Sequence, residues 1–411
     1  MHPLFKVSFL LPLLIWSFKV QAQDQRISGK VIDQSTGEPL SFSHVGILEA
    51  SYGTVANLGG DFSLILPAGY KDEKLSASYL GYELKSIPIS TIDPSKELII
   101  ALEPNVTELS ELVVSTREKS IIEEAIEAIP KNHDQTEMKL RAFWRASIQN
   151  ESKQYIQMTE YAFDMFRHGA PGDESNAMQI LHGRIARDTS FFEDLAGMQI
   201  GVTPPSLFTS SLLKGHGLLD KKIIKKHTYS ITDVTSYNGN AVFVVSFAPK
   251  PKTKGNLYKG QILLDSETLA FVKISFSKVI DPDDPDRVFD GLSMASMVVG
   301  LGKSTLDQYE NELNYQLVDG RWYLSHARYD IHWTMRRSKM GVVKPVKFNA
   351  DFVVTNIQKT DIIVPPEDQL TSKGILERQV TKSTSEFWKE YNYLKADNNF
   401  EALFQEILNR E

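Results

Sequence analysis

The chain has 411 residues, 42% of them hydrophobic and 24% charged, which is typical of a folded protein of two or three domains and excludes a disordered or collagen-like chain. Its formal net charge is −7, so nucleic acid is not expected as its partner, because phosphate binding needs a basic face. The absence of cysteine excludes disulfides and an acylated lipoprotein cysteine.

The first segment has the features of a secretory signal. Lys6 precedes an apolar run from Val7 to Trp16. Val20 and Ala22 are small residues at the positions that signal peptidase recognises. The run is too short to span a bilayer. We therefore expect residues 1–22 to be a cleaved signal peptide. The mature protein is then exported to the periplasm or the outer-membrane face and is not a lipoprotein.

Residues 23–103 are predicted to form a separate, antiparallel β-sandwich domain. Four strand-length apolar runs begin at Val45, Phe62, Leu75 and Leu98, and residues typical of turns separate them. Asp33 to Gly37 provides a tight turn, since glycine tolerates positive φ and Asp or Ser side chains bond nearby backbone.

Three motifs in this region resemble the carboxypeptidase-regulatory-like domain, a transthyretin-like β-sandwich. They are G-x-V-x-D-x-x-T-G-E-P-L at Gly29 to Leu40, G-D-F at Gly60 to Phe62, and Y-L-G-Y at Tyr79 to Tyr82. Such domains are fused to outer-membrane TonB-dependent receptors and to uncharacterised envelope proteins, and they carry no chemistry there. The resemblance implies a docking module in a Gram-negative envelope.

Residues 104–118 are interpreted as a linker. The segment from Glu103 to Ser115 is similar to the one by which TonB-dependent receptors leave this domain and enter their plug. No plug follows, and the chain is too short for a receptor barrel. We therefore do not expect the protein to be a receptor.

Residues 119–375 are predicted to be a second, β-rich domain. It opens with a helix from Ser120, because Ser120 and Glu123 have capping-box spacing and Ile122, Ala125, Ile126 and Ile129 repeat at helical intervals. Pro130 is expected to stop it. The strands near Lys139 and Tyr155 resemble a region of uncharacterised envelope proteins.

From Tyr229 to Ile357 the pattern predicts a curved antiparallel sheet. Val272, Ile274 and Phe276 alternate with three polar residues, and Asp319-Gly320 is a strong hairpin signal. Meandering strands of this kind resemble the half-barrel of periplasmic lipoprotein-carrier proteins. The fold class is thus mainly β: an N-terminal β-sandwich plus a larger antiparallel sheet with a few short helices.

Aromatic residues around that hairpin are the candidate ligand-binding residues. Tyr323, Ala327, Tyr329, Ile331 and Trp333 are predicted to share one face. An aromatic face of this kind is either core or the wall of an apolar groove, which would gain about 25 cal/mol for each Å² of apolar surface buried. We assign the groove to Trp322, Tyr323, Tyr329 and Trp333.

Residues 376–411 form a predicted helical tail. Its F-W-x-x-Y-N motif at Phe387 to Asn392 resembles the tail of the same uncharacterised family. An apolar stripe follows at Phe400, Leu403, Phe404, Ile407 and Leu408, and it competes with a ligand for the groove.

No catalytic motif is present. The sequence lacks H-E-x-x-H and G-x-S-x-G, so neither a metallopeptidase nor an α/β-hydrolase is expected. The segment Asp281 to Asp286 has four carboxylates, which are read as a solvated turn or a weak calcium site. No cofactor and no metal site is predicted.

Two basic runs and two histidines leave alternatives open. The runs Lys221 to Lys226 and Lys250 to Lys254 are solvated strand ends or contacts for lipid phosphates. His326 and His332 share a strand face with Arg328 and Asp330. At the rise of a β-strand the two histidines are about 20 Å apart, which is too far for them to hold one metal ion.

Two functions remain. The favoured one is a non-enzymatic, exported envelope protein that binds or docks a partner protein or an apolar or glycan ligand, with peripheral outer-membrane association. The alternative is an envelope hydrolase whose site no motif reveals. A histidine or serine that converges with a carboxylate in an accessible cleft would favour the alternative.

Overall fold

The computed structural model describes residues 24–48, 50–105, 121–134, 136–167, 177–193, 218–255, 257–281, 305–337, 341–359, 387–388, 391–396 and 400–409. The predicted signal peptide, most of the predicted linker and residues 282–286 of the acidic segment lie outside these ranges. Within them, no helix has the length and apolar character needed to cross a bilayer.

The N-terminal region is a two-layer β-sandwich. Its strands are β1 (Gln25–Asp33), β2 (His44–Ile47), β3 (Gly53–Val55), β4 (Asp61–Leu66), β5 (Lys74–Ser78), β6 (Lys85–Pro88) and β7 (Leu98–Leu102), with 3-10 turns at Ala68–Tyr70 and Ile89–Thr91.

One layer has the order β4-β1-β7 and the other β3-β2-β5-β6. Their facing side chains form one core around Val31, Val45, Phe62 and Leu75. The prediction of a wholly antiparallel sandwich was wrong in one place, since β1 and β7 pair in parallel. Two strands that are far apart in the sequence can pair in parallel or antiparallel, whereas two strands joined by a tight hairpin must be antiparallel.

The second region is a ten-stranded sheet in which every pair is antiparallel. Its strands are β8 (Met138–Asn150), β9 (Tyr155–Arg167), β10 (Ala177–Arg187), β11 (His227–Tyr237), β12 (Asn240–Pro249), β13 (Tyr258–Asp265), β14 (Phe271–Lys278), β15 (Thr305–Val318), β16 (Arg321–Arg337) and β17 (Val342–Lys359).

The strand order is β10-β9-β8-β17-β16-β15-β14-β13-β12-β11, so β8 and β17, distant in sequence, pair near the centre. The helices are α1 (Ile121–Glu127), α2 (Ile129–Asn132), α3 (Thr189–Glu193), α4 (Lys221–Ile224) and α5 (Phe400–Leu408). The predicted fold class, mainly β with a sandwich, a large antiparallel sheet and short helices, is confirmed.

Local sequence explains the hairpins and strand faces. Val318 and Arg321 pair across Asp319 and Gly320, whose φ angles of 49° and 71° are both positive, as the predicted two-residue turn requires. In β14, Val272, Ile274 and Phe276 are buried while the residues between them are partly exposed, as their alternation predicts.

Pro130 does not stop the first helix as predicted. The helix that begins at Ile121 ends at Glu127, and Pro130 lies in the first turn of α2. A proline is tolerated there because its missing N–H has no partner within the helix.

The two faces of the sheet have different roles. The inner face, which carries Leu140, Ala142 and Trp144 of β8, forms the main hydrophobic core, and α1 and α2 contribute to it. The outer face carries Arg141, Phe143 and Arg145 of the same strand. Phe143 packs with Val55 of the sandwich and with residues of the C-terminal segment, so both cover part of the outer face.

Candidate functional site

A row of alternating charges crosses the outer face of the sheet. Six side chains on six neighbouring strands are paired in register, positive beside negative at every step. In order from β10 to β15, this charge row consists of Arg184, Glu160, Arg145, Asp351, Arg328 and Glu312. Past Glu312 the same row continues with the uncharged Ser275, Gln261, Ser246 and Ser230 on the last four strands.

Glu160 is the most buried member of the charge row. Its side chain is 1% exposed and accepts hydrogen bonds from Arg145 and Arg184, each from Nε at 2.7 Å. A buried carboxylate is tolerated only with such charged partners. Glu160 therefore joins β8, β9 and β10 on this face.

Asp351 is the centre of the second half of the charge row, which runs from β17 to β15. His326 Nε2 lies 3.0 Å from Asp351 Oδ1, and Arg328 donates to both carboxylate oxygens at 3.1 and 3.3 Å. Burial acts to raise the pKa of Asp351, but the His326 hydrogen bond and the charge of Arg328 outweigh it and lower that pKa. Asp351 therefore stays a carboxylate.

The other nitrogen of His326 is also occupied. Its Nδ1 lies 3.3 Å from the amide nitrogen of Asn314, and this amide also donates to Glu312. The imidazole is fully buried. The histidine and carboxylate thus converge, but the pair is not accessible to a substrate.

Aromatic rings cover the guanidinium groups of the charge row. Arg328 lies 4.8 Å from the ring of Phe42, a residue of the sandwich. Arg184 lies 5.2 Å from each of the rings of Trp388 and Phe404 in the C-terminal segment. The sandwich and the C-terminal segment therefore both dock through cation–π contacts.

The charge row is open at its β15 end. There a polar trough of about 450 Å³ lies over β13 to β16, and it includes Arg328 and Glu312 of the charge row. The other polar side chains that line this polar trough are Lys259, Gln261, Ser275, Ser277, Glu310, Asn311 and Asp330. Its volume falls in the range of small-ligand sites, roughly 300–1,000 Å³.

Two further clefts separate the sandwich from the sheet. They measure about 240 and 450 Å³, and both are lined by His44, Ser78 and Tyr237. His44 is partly buried, and loss of hydration lowers its pKa to about 4. Tyr237 and Ser78 lie 3.4 Å apart, oxygen to oxygen, which links the sheet to the sandwich.

The four aromatic residues predicted to bind a ligand lie in hydrophobic core. Trp322, Tyr323, Tyr329 and Trp333 are between 1% and 6% exposed. Tyr323 uses its hydroxyl to donate to Asp134 at 2.7 Å. Trp333 also lines a surface pocket of about 280 Å³ beside Asp307 and Lys347. The role of the four residues in binding stays a prediction.

Two details of that prediction change. A register shift between Asn314 and Tyr315 interrupts the predicted single face between Tyr323 and Ala327. The apolar stripe of α5 does not compete for this face, because Phe404 and Ile407 pack against Met158 and Ala186 at the β9–β10 end. The side chain of Phe400 is outside what the structure describes.

The remaining candidates are separated by the fold. His332 lies 2.9 Å from Asp330, so the two strand histidines contact different carboxylates. No group of three metal-ligating side chains occurs among the described residues. Of the acidic segment only Asp281 is described.

Sequence reasoning missed the charge row. The residues that form it are spread along the chain between Arg145 and Asp351, and the local signal is only a charged residue on the polar side of an alternating strand. Phe42, whose ring lies 4.8 Å from Arg328, was also missed.

Comparisons with known proteins agree with part of this picture. Residues 27–114 match the family model of the CarboxypepD_reg-like domain, so the sandwich is a domain of this kind. No curated protein matches the chain.

Two solved structures share a weak likeness. A DUF1329 family protein from Desulfovibrio piger is 11% identical with a TM-score of 0.25, over 61% of this chain and 96% of that one. A structure of lipovitellin, titled for its lipid–protein interactions, is 9% identical with a TM-score of 0.23, over 64% of this chain and 29% of that one. Scores this low carry no argument about fold or function.

Proposed function

We propose that this protein is a non-enzymatic binding module of the bacterial envelope whose polar trough binds a glycan. The polar trough carries the proposal. It is the open end of a charge row that is otherwise covered by the sandwich and the C-terminal segment.

The chemistry of the polar trough suits sugar hydroxyl groups. Glu310, Glu312 and Asp330 accept hydrogen bonds, whereas Lys259 and Arg328 donate them. Ser275 and Ser277 do both. A hydroxyl-rich ligand donates and accepts at neighbouring positions, so it matches such a mixed lining, and an apolar ligand would leave these groups unsatisfied.

Within the described residues, the best candidate catalytic pair is not accessible, and this supports a binding role over the hydrolase alternative. His326 and Asp351 are the best candidate pair, but both imidazole nitrogens have partners and Phe42 stacks on the ring. A general base needs reach to a substrate proton.

Export to the envelope is part of this proposal. The signal-like residues 1–22 and the carboxypeptidase-regulatory-like domain favour a location in the periplasm or at the outer-membrane face. N-terminal sequencing of the native protein tests this: a start near Gln23 is expected, and an intact Met1 on folded cytoplasmic protein contradicts it.

Filling the polar trough tests the binding role. In Ser277→Trp an indole occupies the polar trough, and this variant should lose binding to immobilised envelope polysaccharides that the wild type retains. Ser230→Trp is the matched control, since Ser230 lies on the outer face of edge strand β11 and does not line the polar trough. Equal polysaccharide binding by both variants, or none by the wild type, would contradict the proposal.

A further inference from the structure

A cluster of seven lysines lies at one end of the β11–β12 hairpin. Two chain segments, 218–228 and 248–255, together have seven lysines and one aspartate, Asp220, which gives a net charge of +6 in a chain of net charge −7. This basic platform consists of Lys221, Lys222, Lys225, Lys226, Lys250, Lys252 and Lys254.

Hydrogen bonds hold the two segments together. The ammonium of Lys250 donates to the carbonyl of Lys225 at 2.7 Å, and that of Lys226 donates to the carbonyl of Lys254 at 3.0 Å. The amide of Lys250 also donates to the carbonyl of Lys226 at 2.9 Å. The positive charges are therefore concentrated by the fold rather than by chance proximity of loose loops.

His227 fixes the platform to the sheet. Its Nδ1 lies 2.7 Å from the carbonyl of Ile223 in α4, and its Nε2 accepts from the amide of Tyr258 at 3.0 Å. The side chain of Asp220, the only acid in the two segments, accepts from the amide of Lys222 at the start of α4. The helix that carries the first lysines thus has a defined position.

Five lysines of the platform are exposed, and within the described residues none of them forms an ion pair with a carboxylate: Lys221, Lys222, Lys225, Lys252 and Lys254. Some lysines elsewhere do form ion pairs, as between Lys273 and Glu312 or Lys347 and Asp330. Like charges held together cost free energy unless an anionic partner neutralises them.

We infer that the basic platform docks on the surface of a membrane that contains anionic phospholipid. The exposed ammonium groups are point charges without an ion-pair partner in the described part of the chain, and point charges suit phosphate headgroups. Such docking would hold the polar trough near the membrane without a membrane-spanning helix.

Vesicle co-sedimentation of the full chain tests this inference. The test variant replaces Lys221, Lys222, Lys225 and Lys252 with glutamine. The control variant replaces four exposed lysines elsewhere, Lys71, Lys74, Lys131 and Lys153, so both variants lose the same charge. All three proteins have the same N-terminus, so its apolar run contributes equally.

Each lysine near an anionic membrane surface increases the partitioning of a protein onto that membrane about fivefold. The test variant should therefore bind phosphatidylglycerol vesicles at least tenfold more weakly than the wild type, and the control variant should bind nearly as the wild type does. Wild-type binding should fall with added salt. Inorganic phosphate at equal ionic strength should not compete more than chloride does.

Four results would overturn the inference. The first two are equal weakening in both variants and equal wild-type binding to phosphatidylcholine vesicles. The third is displacement by inorganic phosphate alone, which would indicate a soluble phosphate as the ligand, and the fourth is binding to a short DNA duplex without vesicle binding. The test is independent of the polar trough, since none of the eight substituted lysines lines it.

Discussion

Phe42 of the sandwich stacks on His326 of the sheet, with ring centroids 4.7 Å apart and 18° between the ring planes. The same phenyl ring lies under the guanidinium of Arg328. Phe42 has a φ of 61°, a left-handed conformation that is uncommon for a bulky residue. The backbone strain at this position is thus coupled to the contact that covers the His326–Asp351 pair.

Replacing Phe42 tests how much this contact stabilises the docked sandwich. Phe42→Ala should lower the free energy of unfolding by about 1–3 kcal/mol, since it removes a ring stack and a cation–π contact. Phe42→Gly should be less harmful than Phe42→Ala, because glycine adopts positive φ without strain. Urea unfolding measures both. Ile99→Ala, at a side chain 52% exposed on β7, is the control and should change stability by less than about 0.5 kcal/mol.

Glu160 should be the most sensitive position of the charge row. Glu160→Gln leaves the partly buried guanidinium groups of Arg145 and Arg184 without their buried carboxylate partner, so a loss of about 3 kcal/mol in unfolding free energy is expected. Glu310→Gln, at an exposed carboxylate on the same face, should change stability by about 0.5 kcal/mol or less. Similar losses in both variants would show that the charge row does not stabilise the sheet.

His44 predicts a pH dependence of stability. Its pKa in the folded protein is lowered to about 4, whereas the unfolded chain takes up a proton near the ordinary value of 6.5. Between these values the unfolded state binds more protons, so stability falls as the pH drops from about 6.5 to about 4, and below that this contribution is constant. His44→Gln should flatten the dependence in this window, as measured by urea unfolding at several pH values. An unchanged slope would contradict the role of His44.

Asn392 joins the C-terminal segment to the edge of the sandwich. Its side chain accepts from the amide of Ile65 at 2.6 Å and donates to the carbonyl of Ile65 at 3.1 Å, in the manner of a neighbouring strand. Asn392→Leu leaves both backbone groups buried without a partner, and a loss of about 1–3 kcal/mol is expected.

Asn349→Leu is the matched control for this position. Asn349 is partly exposed on the outer face of β17, so Asn349→Leu should change the free energy of unfolding by less than about 0.5 kcal/mol. Hydrogen exchange adds a second measurement, because only Asn392→Leu should speed exchange of the Ile65 amide. Equal exchange in both variants would show that the C-terminal segment does not protect this edge.

The sequence by itself determined the elements and their faces. The run Leu98 to Leu102 is a strand with those bounds, and Asp319-Gly320 is the turn of the β15–β16 hairpin. In β14 the buried and partly exposed residues alternate as predicted. These features depend on near neighbours in the chain, because turn conformation and a side-chain period of two are local properties.

Only the tertiary structure decided which of these residues meet. Arg145 lies beside Asp351 because β8 pairs with β17 in one register, and no local pattern fixes the register of strands so far apart in sequence. The same holds for the basic runs, which become one platform only when β12 returns alongside β11. The burial of Trp333 and its aromatic neighbours was likewise decided by packing. The sequence pattern of an alternating aromatic face is the same whether that face is covered by other residues or open to solvent.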